Sequence, residues 1–251
     1  MFKVVGNAVS NILGIPFPQF RRLPPNHLRV RVGVGTQLLN NHAHHLGIGS
    51  QFWLECFAKA YVNAKADIVE IGCGCGRIAM HLNADYFSGT YLGIDIDPEM
   101  IEYCRSHFPS PRFSFRLSPH TSSIYRAANC SVQKANVFTI AKPDSKDFIY
   151  STSLFTHLLE AEMAFYLRES FRALRYDGMI IMSFFCIEHV EMGRPWTFVH
   201  RTGNAYTDIE QYPDAAIAYS KDYMFRLVRE LGFRDICVSG RPVQSFLIAR
   251  K

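Results

Sequence analysis

Ala66-Asp-Ile-Val-Glu-Ile-Gly-Cys-Gly-Cys-Gly-Arg-Ile-Ala79 is the stretch whose reading decides the fold. Ile68, Val69 and Ile71 form a β-branched run, which predicts a strand buried on both faces. Gly72, Gly74 and Gly76 alternate with Cys73 and Cys75, and residues 77–82 are expected to continue as a helix. Strand, glycine turn and helix together bring backbone N–H groups up to a ligand. A dinucleotide site reads G-x-G-x-x-G, and from Gly72 the sixth place is Arg77. From Gly74 it is Ala79, which the looser form allows, so the dinucleotide reading stays open at this point. Glu70 discriminates better, because a carboxylate two residues before the first glycine repels a pyrophosphate and suits a cationic ligand. The next strand, Tyr91-Leu-Gly-Ile-Asp95, ends in an acid 19 residues after Gly76. A carboxylate at a strand tip accepts two hydrogen bonds from a ribose diol, roughly 1.5–3 kcal/mol each.

The pattern Glu-x-Gly-x-Gly-x-Gly over residues 70–76, followed by the acid-tipped strand, resembles motif I of the class I S-adenosylmethionine-dependent methyltransferases. That resemblance spans roughly residues 50–250. It implies S-adenosylmethionine as cofactor, held by Glu70, Gly72, Cys73, Gly74 and Gly76, with Asp95 on the ribose and Asp97 as its nearest rival. Ile96 and Ser151 complete the expected donor contacts. Asn136 and Ser118 stand where related enzymes place an acid on the adenine; neither is that acid, so the adenine contact has no assignment.

The 251 residues suffice for one large domain with a sizeable core. Apolar content of 48% and charged content of 20% describe an ordinary globular chain. The net charge of +5 comes without a long Lys/Arg run, so a nucleic-acid partner is not indicated. Seven scattered cysteines fit buried thiols in a reducing compartment, hence a cytoplasmic location. Cys73-x-Cys75 is too close for a usual zinc knuckle, and no metal is expected there. No segment reaches the roughly 18–20 apolar residues of a membrane span. Residues 1–15 lack a strong basic region and a clear cleavage site, so they do not read as a signal peptide. They suit an amphipathic helix packed on the domain, with weak membrane contact as the minor alternative.

Residues 16–25 are proline-rich and read as an extended lead-in. Residues 28–35 alternate apolar and basic side chains, which predicts a short strand or extended flap. His42, His44 and His45 read as a polar loop near the ligand mouth, with metal ligation as the alternative. Residues 49–61 have an expected serine cap, Ser50, and helical apolar spacing. Asp97-Pro98 opens another helix, which Pro109 stops. Further strands are expected at 112–117, 147–153 and 179–185, with a helix from Glu160 to Arg175 and a tight turn at Asp177-Gly178. Residues 186–217 read as a long loop or lid. Ser220 caps a helix ended by Gly232, and residues 235–239 and 245–249 close the sheet as a strand pair. The sum is an α/β fold: a doubly wound, mostly parallel seven-stranded sheet, last strand antiparallel, helices on both faces. Residues 1–48 are expected as a cap and 49–251 as the methyltransferase domain.

Methyl transfer is largely a matter of aligning an acceptor, and a neutral hydroxyl also needs a general base. His157, in Thr152-Ser-Leu-Phe-Thr-His-Leu158 at the expected mouth of the fourth strand, is the first candidate; Glu188 and His189 are second. The Ser-x-Phe-Thr-His-Leu phrase resembles a methyltransferase subgroup associated with sugars, polysaccharides and other small molecules. Pro24-Pro-Asn-His-Leu-Arg-Val-Arg-Val-Gly33 and Ile124-Tyr125 fit it loosely. Tyr125, Trp196, His200 and Tyr206 are the candidate acceptor contacts. The expected reaction is O-methylation of a sugar or glycan hydroxyl. N-methylation of an amino sugar, methylation of a phenol, and a non-catalytic binding subunit are the alternatives.

Overall fold

The structure is a computed structural model and describes residues 7, 9–12, 14–32, 38–82, 86–108, 111–119, 138–190, 196–240 and 243–251. Five parallel strands form its centre: β1 (Asp67–Ile71), β2 (Thr90–Asp95), β3 (Phe113–Leu117), β4 (Lys146–Ser151) and β5 (Leu174–Cys186), in the order 3-2-1-4-5. Further along the chain come β6 (His200–Thr202), β7 (Ala205–Thr207), β8 (Ile217–Tyr219), β9 (Arg234–Ser239) and β10 (Ser245–Arg250). β10 pairs antiparallel with β5 and with β9, as expected of the closing pair. Strand parity sorts the two faces. Ile68 and Glu70 point toward α1 (Leu38–Ala58) and α2 (Pro98–His107); Val69 and Ile71 join the core beneath α3 (Glu160–Ala173) and α4 (Lys221–Glu230). The sheet is therefore covered on both sides, and its central strands read as continuous apolar runs. Both predicted caps form: Asp97 accepts from the Glu99 and Met100 N–H groups, and Ser220 accepts from that of Tyr223. Among the described residues, no helix is long and apolar enough to cross a membrane.

Among the described residues the strand count is ten rather than seven. β5 outruns its neighbours: its last pairings are Met182 with Ser151 of β4 and Phe184 with Ser245 of β10. Phe185 and Cys186 are left with a free edge, and β8 takes it. β7 and β6 then add antiparallel, so the stretch expected as a loop is a small sheet over its own core of Phe185, Val190, Phe198, Ala216 and Ala218. Asp177-Gly178 is likewise no turn between elements. α3 ends at Ala173, and the strand begins at Leu174 with a register shift, Asp177 taking φ +67° inside it.

Further expectations are corrected in the first third of the chain. Residues 28–32 are a helical turn (Asn26–Arg29) followed by a 3-10 turn (Val30–Val32), not a strand; Arg29 is buried and bonds the Pro24 carbonyl, Ser10 and Asn26. His42, His44 and His45 lie within α1, not in a loop, and the expected boundary at residue 48 falls inside the same helix. Ser50, also inside it, bonds back to the Leu46 and Gly47 carbonyls instead of capping. The helix expected over 77–82 is a single 3-10 turn, Ala79–His81.

Gly76 shows how tightly the turn is packed. Its φ is +79°, and a Cβ there would stand 2.4 Å from the Phe108 ring. Gly76→Ala should lower stability by about 3 kcal/mol, combining left-handed strain with overpacking. Urea denaturation measures it; a loss below about 1 kcal/mol would mean that α2 moves aside freely.

Candidate active site

The carboxyl ends of β1, β2 and β4 open into a cavity of about 710 Å³. Gly72, Cys73, Gly74, Asp95 and Ile96 line it, as the sequence suggested, together with Glu70 and Asp97. The turn hangs on β2: the Gly72 and Cys73 N–H groups donate to the Ile94 carbonyl at 2.7 and 3.1 Å. Asp95 Oδ2 accepts the Gly74 N–H at 2.7 Å, and Oδ1 accepts that of Asp97 at 2.9 Å. Burial raises the Asp95 pKa to about 6 against the pull of the Gly74 and Ile96 N–H groups and of Arg31. A carboxylate offers about four lone-pair sites, so capacity remains for a diol facing the cavity.

Glu70 is held differently. Its Oε2 accepts the Tyr91 hydroxyl from β2 and the Tyr150 hydroxyl from β4, the latter at 2.7 Å. Burial pushes its pKa up to about 8, with Asp95 adding to the rise and the tyrosines and Arg77 opposing it. Glu70 is thus a proton reservoir at the cavity floor, largely neutral until a cation draws its proton off.

Two expected donor residues lie elsewhere. Gly76 does not line the cavity; it meets Phe108 and Cys104, so its lack of a side chain serves packing. Ser151 is fully buried within β4, outside the lining, and the wall resumes at Thr152. Val32 covers Gly74 from outside, its Cγ1 lying 2.6 Å from where a Cβ would be. The basic flap does not present its charge to an acceptor, because Arg31 pairs with Asp97 and with Glu99.

Beyond β4, Ser153 turns the chain at φ +61°, its N–H held by the Ser183 hydroxyl at 2.6 Å. That turn sends the 3-10 segment Phe155–His157 along the cavity. His157 lines the wall, and its Nδ1 lies 2.9 Å from the Asp214 carbonyl. A carbonyl only accepts, so Nδ1 carries the hydrogen and Nε2 of the neutral ring is the basic nitrogen. Glu188 and His189 are not in the cavity. Glu188 accepts the Lys221 N–H at the start of α4 and the Cys186 thiol; despite some burial, these bonds keep its pKa low. His189 Nδ1 meets the Ser245 hydroxyl at 2.9 Å.

Of the candidate acceptor contacts, Tyr125 lies outside the described residues. Trp196 packs on Phe185 at 4.4 Å, Tyr206 stacks with Arg201, and His200 heads β6; none lines the cavity. The inserted segment reaches the cavity instead through Gln211, Tyr212, Pro213 and Asp214, just before β8. Glu162 and Tyr166 of α3 complete that side. Pro213 was the one signal in the sequence: it stops the segment from pairing and leaves it free to fold inward. Among the described residues, no three His, Cys, Asp or Glu side chains stand together as metal ligands.

The set fits an adenosyl sulfonium donor: a carboxylate with spare acceptor sites at the β2 tip, glycine backbone along the cavity wall, and a second acid ready to ionise. Comparison with known proteins agrees. Residues 69–182 match the family model Methyltransf_11, described as "Methyltransferase domain". An S-adenosylmethionine-dependent methyltransferase from Mesorhizobium loti superposes with a TM-score of 0.55 at 16% identity, covering 77% of this chain and 95% of that one. One from Archaeoglobus fulgidus gives 0.55 at 14%, covering 81% and 94%. The Burkholderia thailandensis 1,6-didemethyltoxoflavin-N1-methyltransferase, solved with its acceptor and S-adenosylhomocysteine, gives 0.51 at 13%, covering 82% and 78%. At these identities the likeness is one of fold. The family match runs across the glycine turn, the acid-tipped second strand and the His157 segment; it covers residues 69–182, less than half of the chain, and together with the fold neighbours it supports an S-adenosylmethionine-dependent methyltransferase.

Proposed function

We propose that the enzyme methylates a small-molecule acceptor, a sugar or glycan hydroxyl, with His157 as general base. The observation that supports this most is the bond from His157 Nδ1 to the Asp214 carbonyl, which orients the ring and makes Nε2 its proton acceptor. S-adenosylmethionine, when bound, supplies an electrophilic methyl group on a sulfonium. Asp95 would hold the ribose and the Gly72–Gly74 backbone the methionyl portion. As the acceptor oxygen forms its bond to the methyl carbon and the S–C bond breaks, the hydroxyl proton passes to His157 Nε2. Leu154, Leu158 and Leu159 keep that end apolar, and the residues before β1 act as a cap through Arg31 and Val32. Five buried free thiols (Cys56, Cys73, Cys75, Cys104, Cys186) support a reducing, cytoplasmic setting.

Methylation of an amino sugar nitrogen is the second reading, and Glu162 with Asp214 favours it. Both line the acceptor side, and burial, then the nearby Asp214, push the Glu162 pKa up. Two acids lining one side of the cavity suit an acceptor that arrives as an ammonium.

The pH dependence of donor binding follows from the two raised carboxylates. Without a cation, Asp95 keeps a proton up to about pH 6 and Glu70 up to about pH 8. A sulfonium favours both ionised forms, so binding releases protons and tightens as pH rises through those values. Affinity for S-adenosylmethionine should rise about tenfold from about pH 5.5 to about pH 9. S-adenosylhomocysteine, without the sulfonium, should change less than about threefold; calorimetry giving equal pH slopes for both ligands would contradict the charge argument.

His157→Ala should slow methylation of a hydroxyl acceptor about 100-fold or more while leaving donor affinity within about threefold. Glu188→Gln should leave that rate nearly unchanged. Single-turnover kinetics read both. An unchanged rate in His157→Ala would remove the hydroxyl reading and favour the amine.

A further inference from the structure

Arg77 follows the glycine turn directly and is the other cation in the cavity besides Arg31. It is 8% exposed. One nitrogen, Nη1, donates to the Val32 carbonyl at 2.8 Å, while Nε is buried with no hydrogen-bond partner. The charge of Arg31 is met by Asp97 and Glu99; Arg77 has no such ion pair among the described residues. Glu70, whose charge it feels, gives its Oε2 to two tyrosines. His45 and His81 are close by but bring no negative charge. Burial, then Arg77, push the His45 pKa down to about 2, and burial lowers that of His81.

A buried guanidinium without a counter-ion is costly unless something else supplies the anion. We propose that the α-carboxylate of the methyl donor is that anion, so that Arg77 binds the amino-acid end of S-adenosylmethionine and selects a donor carrying that group. Arg77 sits on the segment that carries the glycine turn, whereas the acceptor wall comes from residues 157–162 and 211–214. The donor's three charges then find separate partners. Its sulfonium and ammonium face a cavity rich in acids, and its carboxylate meets the one arginine there that Asp97 and Glu99 do not neutralise. A guanidinium matches a carboxylate with two parallel N–H donors, which a lysine cannot do.

The proposal rests on the donor reading of the cavity, and its test separates the two. Calorimetry compares S-adenosylmethionine with decarboxylated S-adenosylmethionine, which keeps the adenosyl group and sulfonium. The wild-type protein should bind the intact donor about 30-fold tighter, the size of a charge-assisted pair. In Arg77→Met the ratio should fall to about one, mainly through weaker binding of the intact donor. Arg77→Lys keeps the charge without the fork, so its ratio should drop about fivefold, and it stands in if Arg77→Met does not fold. A wild-type ratio near one, or a folded variant that keeps the full ratio, overturns the proposal alone. Failure of the wild-type protein to bind either compound at millimolar concentration overturns the donor reading as well.

Discussion

A single carboxylate ties the site together. Asp95 stands at the tip of β2, accepts the Gly74 N–H with one oxygen and the Asp97 N–H with the other. The first bond fixes the glycine turn, already hung on the Ile94 carbonyl, against the neighbouring strand. The second fixes the approach to α2, which Asp97 then caps. These contacts exist because β1 and β2 run parallel in a register that pairs Ile71 with Ile94 and brings both tips to one end of the sheet. A parallel sheet demands crossovers; they place α2 on one face, where α1 joins it, and α3 on the other, where α4 joins it. The cavity is what remains at the end of the sheet, where no helix covers the strand tips.

Charge is graded within that cavity. Burial raises both acids, but backbone donors hold the Asp95 pKa to about 6, while the tyrosines offset the burial of Glu70 less and leave it at about 8. The floor can therefore become more negative when a cation arrives, with no need to bury two bare carboxylates beforehand. Arg77 provides the opposite sign a few residues away in sequence. The opposite wall repeats the contrast on a smaller scale, with His157, Glu162 and Asp214 lining it together.

Much of this was legible in the sequence, for physical reasons. A β-branched run followed by alternating glycines has few other structural meanings, and Asp97-Pro98 and Ser220 are caps whose side chains bond the helix they precede. What the sequence hid depended on tertiary context. Residues 28–32 alternate like a strand, yet they coil because Arg29 is drawn into a buried polar contact with the N-terminal segment. The histidines of α1 look like loop polarity, yet His42 and His45 are buried within the helix. Glu188 and His189 follow a strand tip just as His157 does, but β8 caps that tip and turns them toward α4 and β10. Trp196 and Tyr206 read as a binding face, yet they wall a small core of their own. Nothing local marks Gln211–Asp214 as the part that reaches the cavity, except a proline.

A crystal structure of the protein with S-adenosylhomocysteine tests the central claim most directly. The account predicts the ribose hydroxyls within hydrogen-bonding distance of the Asp95 carboxylate and the homocysteine chain along the Gly72–Gly74 backbone. A nucleoside bound away from the β2 tip, or an Asp95 side chain turned out of the cavity in the complex, would contradict it.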